Sequence, residues 1–125
     1  MATLQQKEHK KIALVTGAAR GIGLATCHLL LSEQWNVIAL DIDGDELASA
    51  CNDVDGLTPV VCDVSDEAAV LVTAQKLESD FGRLNALVNN AGLADFGPIE
   101  ETSFERWRRV MATTLDGPFL LSQAC

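Results

Sequence analysis

Ile12-Ala13-Leu14-Val15-Thr16-Gly17-Ala18-Ala19-Arg20-Gly21-Ile22-Gly23 is the stretch on which the reading of this chain turns. Five residues without a charge, three of them apolar and branched, describe a strand buried on both faces. The glycines that follow interrupt it, and helical spacing resumes at Gly21 and continues to Ser32. A strand that runs through glycines into a helix brings backbone N–H groups and the positive end of a helix dipole to one point. That combination suits a pyrophosphate, with glycines allowing the tight turn and the close approach. The same residues would also make a purely structural strand-to-helix turn, and what lies downstream has to decide between the two.

Outward from that stretch the chain alternates short apolar runs with longer helix-spaced segments, a βαβα rhythm. Strands are expected at Ile12 to Thr16, Asn36 to Asp41, Thr58 to Cys62 and Ala86 to Asn89. Helices are expected at Gly21 to Ser32, Asp45 to Asn52, Ser65 to Phe81, and from Ser103 onward. Ser65 is a candidate cap for the third helix, whose stripe is Val70, Ala74, Leu77 and Phe81. The last helix carries Phe104, Trp107, Met111, Leu115 and Phe119 at spacings of three and four, with a kink expected at Gly117-Pro118. Right-handed crossovers then dictate a parallel sheet in the order 3-2-1-4, with the first two helices on one face and the last two on the other.

Asp41 ends the second strand, eighteen residues beyond Gly23. A carboxylate there can accept hydrogen bonds from both hydroxyls of an adenosine ribose and would repel a 2′-phosphate. Taken alone, Asp41 with Asp43 and Asp45 is equally well acidic turn chemistry before a helix; the preceding glycine loop favours the ribose. Asp41 to Asp45 also faintly suggests a calcium loop, but the glycine is misplaced and the twelfth position is Asn52, so calcium is rejected.

Composition narrows the function classes. The 125 residues are 48% hydrophobic and carry a net charge of −9, which fits one domain and opposes binding to nucleic acid or anionic lipid. Residues 1 to 10 read as a polar tail and 11 to 125 as the folded unit. The absence of an apolar leader or span leads to the expectation of a cytoplasmic protein without membrane association. Cys27, Cys51, Cys62 and Cys125 form no C-x-x-C pair, and no disulfide, metal ligand or nucleophile is assigned to them.

With these segments in view, the chain resembles the N-terminal, nucleotide-binding half of the short-chain dehydrogenase/reductase family. The family's T-G-x-x-x-G-x-G signature is matched by Thr16 to Gly23, its N-N-A-G segment by Asn89 to Gly92, and its acidic residue after the third strand by Asp63, followed by Val64. The resemblance implies a Rossmann-type doubly wound α/β fold, truncated to about four strands, and an NAD(P) cofactor. It implies that Gly17, Arg20, Gly21, Ile22 and Gly23 surround the phosphates and adjoining ribose. Asp41 would hold the adenosine ribose, Asp63 and Val64 the adenine, and Asn90, Ala91 and Gly92 the far side of the cleft. Arg20 could contact a 2′-phosphate, but Asp41 opposes that charge, so NAD is expected over NADP.

The family transfers hydride between nicotinamide and an alcohol or carbonyl with a Ser, a Tyr, a Lys and an Asn. This sequence holds no Tyr, and it ends at Cys125, before the segments that would bear Ser, Tyr and Lys. Thr114 stands where the Asn would fall. A catalytic residue is therefore not assigned, and catalysis by this chain alone is not expected. The alternatives are part of an oxidoreductase, whose other half is missing, or a non-catalytic nucleotide-binding or interaction module that keeps the cleft. Another Rossmann user, such as a methyltransferase, is disfavoured by Thr16-Gly17 and Asn89 to Gly92. An open edge on strand four, Leu84 to Val88, and the apolar fourth helix lead to an expectation of self-association.

Overall fold

A computed structural model describes residues 9 to 125; most of the expected polar tail lies outside the described residues. Four parallel strands, β1 (Ile12–Thr16), β2 (Asn36–Asp41), β3 (Leu57–Val61) and β4 (Ala86–Val88), form one sheet in the order β3-β2-β1-β4. Between them run α1 (Gly21–Ser32), α2 (Gly44–Cys51) and α3 (Glu67–Phe81). After β4 come a 3-10 turn at Ile99–Glu101, α4 (Phe104–Met111), one turn of π-helix at Ala112–Asp116, and α5 (Gly117–Ala124). The expected α/β class, strand order and doubly wound arrangement are present.

Side-chain alternation along the central strands sorts the core into two layers. Ile12 and Leu14 of β1, with Ile38 and Leu40 of β2, face Val70 and Leu77 of α3 and Leu121 of α5. Val15, Val37 and Ala39 face Cys27 of α1 and Leu47 and Cys51 of α2. The first two helices thus cover one face, and α3 and α5 the other. Every residue of β1 is buried, as a strand paired on both sides and covered on both faces must be. Pro59 is tolerated because β3 is an edge strand.

Several boundaries depart from the sequence reading. α2 starts one residue early, at Gly44, because the Asp43 carboxylate accepts the Glu46 N–H at 3.1 Å and caps it. α3 is capped by Asp66, which accepts the Ala69 N–H at 3.1 Å, and not by Ser65, whose own N–H and hydroxyl are taken by Asp63. β3 begins at Leu57, and β4 ends at Val88, where Asn90 turns back to donate its N–H to the Val88 carbonyl. In place of a break at Gly117-Pro118, the α-helical pattern is interrupted by the π-turn just before them, and Gly117 keeps helical dihedrals with proline in the first turn of α5. Gly117 answers to space: a Cβ there would stand 2.8 Å from Val64 Cγ2.

Candidate functional site

The crevice lies at the carboxyl ends of β1 and β4, where the strand order reverses and the chains leave in opposite directions. It is a cleft of about 770 Å³, within the size range of small-molecule sites. Of the residues singled out from sequence, Gly17, Arg20, Gly21, Ile22, Asp41, Asp63, Val64, Asn90, Ala91 and Gly92 line it. Gly23 does not. It sits behind the wall, where a Cβ would fall 2.1 Å from the Gly17 carbonyl oxygen, so its absent side chain lets α1 close on the loop.

Four strand ends build this wall. Gly17 and Gly21 hold φ of 64° and 56°, the left-handed region in which a side chain is strained. A Cβ on Gly21 would meet nothing within 4 Å, so the loop backbone at that point is open to the cleft. Thr16 is buried, and its hydroxyl accepts the N–H groups of Asn90 at 3.0 Å and Ala91 at 2.9 Å. The Asn90 side-chain amide donates to the carbonyls of Thr16 at 3.0 Å and Gly17 at 3.2 Å. Asn90 therefore ties the loop after β4 to the glycine loop through its own amide, a linkage between two motifs that neither motif predicts by itself.

The helix ends around the cleft are not alike. Asp43, Asp66 and Ser103 cap α2, α3 and α4 with side-chain acceptors. Arg20 precedes α1 in extended conformation with no side-chain cap, leaving the first N–H groups of that helix toward the glycine loop. Of the two helices that start from cleft-lining residues, α2 is capped by Asp43 and α1 has no side-chain cap.

The acidic residues occupy the far end. Asp41 accepts the Ala19 N–H and the Asp43 N–H, each at 3.0 Å and each on a different carboxylate oxygen. Each oxygen keeps a lone pair for a further donor. Asp63 spends one oxygen on Ser65, whose N–H and hydroxyl lie at 2.9 and 2.7 Å, which fixes the loop beyond β3. Arg20 donates to Asp43 at 2.7 Å and also pairs with Glu46. Cys62 lines the cleft as a buried thiol whose pKa is pushed up by desolvation, so it is not poised as a nucleophile. Cys27 and Cys51 are likewise buried and free, with burial pushing Cys27 up to about 11.

Asp43 and Ser65 line it as well, and Leu40, Ile42, Cys62, Leu93, Arg109 and Thr113, which were not singled out as site residues from sequence, complete the lining. Thr114, which stands at the family's Asn position, does not line the cleft. Its hydroxyl accepts the Leu93 N–H at 3.2 Å and donates to the Leu93 carbonyl at 3.3 Å, pinning the loop after β4 to the π-turn.

A family model described as short chain dehydrogenase matches residues 11–125. The chain belongs to the short-chain dehydrogenase family. Among its relatives, D-threitol dehydrogenase of Mycolicibacterium smegmatis is 36% identical over 118 residues, 91% of this chain and 45% of that protein. Galactitol 2-dehydrogenase of Agrobacterium fabrum is 36% identical over 120 residues, 93% of this chain and 46% of that protein. A solved short-chain dehydrogenase from Streptomyces avermitilis superposes with a TM-score of 0.89 at 30% identity, over 94% of this chain and 43% of that one. The 3-ketoacyl-(acyl-carrier-protein) reductase of Brucella melitensis, solved in complex with NADH, does so with 0.85 at 28% identity, over 90% and 47%. This short-chain dehydrogenase chain thus spans less than half the length of these relatives. Among the described residues no helix is long and apolar enough to cross a membrane.

Proposed function

We propose that these residues are the cofactor-holding part of a short-chain dehydrogenase/reductase and bind NAD(H) in preference to NADP(H). The observation that carries this reading is the uncapped N-terminus of α1 beside the open glycine loop, at the head of a cleft of about 770 Å³. The N–H groups of Gly21 and Ile22 would meet the pyrophosphate, and the remaining lone pairs of Asp41 the two ribose hydroxyls. Asp63 and Val64 would border the adenine, and Asn90, Ala91 and Gly92 the side toward the nicotinamide. When bound, the nicotinamide supplies or accepts hydride. The chain's own residues orient the dinucleotide and shield it from water on one side.

The oxyanion formed by hydride transfer to a carbonyl needs a proton donor, and the sequence holds no Tyr. Thr114, occupied by the Leu93 backbone, is no replacement for an amide. These 125 residues alone are expected to show no turnover of alcohols or carbonyls. The second reading, a nucleotide-binding module without catalysis, draws its support from that same Thr114.

We infer in addition that the free side of β4 and the outer face of α4 and α5 are covered by more protein, either a second copy or the family's remaining segments. Phe104 is 76% exposed and Phe119 62%, more apolar surface than a monomer usually presents.

Calorimetric titration with NADH and NADPH tests the cofactor reading. NADH is expected to bind more tightly, and Asp41→Ala to narrow the gap by about tenfold, the loss of roughly one charge-assisted hydrogen bond. Equal affinities in the unaltered chain would overturn the assignment of Asp41.

A further inference from the structure

From sequence, Arg20 is open to two roles, toward a phosphate or away from it. The structure ties its guanidinium to α2: Nη2 pairs with Asp43 Oδ2 at 2.7 Å and with the Glu46 carboxylate. Asp43 divides its two oxygens between two tasks, since Oδ1 accepts the Glu46 N–H and caps α2 while Oδ2 takes Arg20. Arg20, Asp41 and Asp43 all line the end of the cleft that β2 closes.

We propose that Asp43 and Glu46 are positioning residues which hold Arg20 away from the 2′-phosphate of NADP, and so set cofactor choice jointly with Asp41. This rests on the reading of the cleft as a dinucleotide site. The ion pairs have little to do with stability, because the Arg20 side chain is 60% exposed and each carboxylate 43%, and exposed pairs contribute almost nothing. Their effect is on where the cation points. The guanidinium is held by two carboxylates, Asp43 and Glu46, while a third, Asp41, lines the same end of the cleft. A 2′-phosphate monoester carries about two negative charges at neutral pH. It would have to take Arg20 from two carboxylates, at an end of the cleft that Asp41 and Asp43 also line. A ribose with free hydroxyls meets no such opposition and finds Asp41 ready to accept.

The experiment is a titration of NADH and NADPH into the chain, into Asp43→Asn/Glu46→Gln, and into the same double variant with Arg20→Ala. Asparagine caps a helix as well as aspartate does, so the start of α2 is kept while the charge is removed. The double variant is expected to bind NADPH about tenfold more tightly with NADH affinity held within about twofold, and the gain should shrink at high ionic strength. Arg20→Ala in that background should abolish the gain. A double variant that binds NADH as before with an unmoved NADPH to NADH ratio overturns the inference alone, as does a gain that survives the loss of Arg20. Failure of the unaltered chain to bind either dinucleotide overturns the reading of the cleft and this inference together. Retained NADH binding reports that the variants fold.

Discussion

The glycine-loop end of the molecule and the α4–α5 end obey opposite rules. Around β1 the backbone is crowded: Thr16, Gly17, Gly23, Asn90 and Ala91 touch through hydrogen bonds or through contacts that leave no room for a methyl group. Around β4 and α4 the surface is loose: all three residues of β4 are only half-buried, and α4 has no buried residue. Polar linkages at the first end fix a backbone shape, whereas at the second an apolar face is left toward solvent. The difference teaches that the glycine-loop side of the cleft is preorganised by contacts within this chain, while the side nearest α4 depends on what packs there.

The comparison is broken most forcefully at Gly23. Gly23→Ala forces a Cβ to within 2.1 Å of the Gly17 oxygen and, since backbone must move, is expected to cost about 3 kcal/mol or more. Urea unfolding should show it, and dinucleotide binding should be lost with it. Thr16→Val comes next. It leaves the Ala91 N–H without its acceptor and the Asn90 N–H with the Val88 carbonyl alone, at an expected cost of about 1 to 3 kcal/mol. Should the valine variant unfold like the unaltered chain, the linkage between the two loops would be incidental.

At the loose end the expected effect on stability is small. Phe104→Ser with Trp107→Ser should change the unfolding free energy by no more than about 0.5 kcal/mol, as for other surface positions. The same variant should shift sedimentation toward the monomer, because it removes two of the apolar side chains that a second copy would cover. An unaltered association state would assign the covering of this face elsewhere.

The smallest effect concerns the loop after β4. Arg106 hydrogen-bonds Asp95 through Nε at 2.9 Å and again through Nη2, and holds its carboxyl below the usual carboxylate range. A lowered folded-state pKa means that this contact contributes in full above the ordinary carboxylate pKa. The contribution is lost as pH falls through the folded value. Because the pair is at the surface, global stability should hardly respond, but the backbone resonances of residues 93 to 98 should begin to shift at acid pH in the unaltered chain and not in Asp95→Asn.

Much of the compact region was legible in the sequence, and the reason is local. Thr16 to Gly23 carries its conformation in its residue types, and the apolar runs of Ile12–Thr16 and Asn36–Asp41 mark strands that are buried along nearly their whole length. What escaped depends on pairs that are remote in sequence. The capture of Arg20 by Asp43 and Glu46 joins two helix starts more than twenty residues apart, and periodicity within either helix says nothing about it. Gly117, read as a kink, is instead a contact with Val64 across fifty-three positions. The replacement of Ser65 by Asp66 as a cap followed from Asp63 claiming the serine first, a competition that propensity does not weigh. Of the site, the strand-end residues carried their own signals, while Leu93 on the loop after β4, Arg109 on α4 and Thr113 on the π-turn reach the cleft through the packing of those segments.

The most direct measurement is a two-dimensional amide NMR titration of the chain with NADH. Saturable shifts are expected at residues 17 to 23, 41 to 43, 62 to 65 and 90 to 93 and at Arg109 and Thr113, with the residues of α4 away from the cleft unmoved. Shifts spread over the exposed face of Phe104 and Trp107, or no shifts at millimolar NADH, would contradict this expectation.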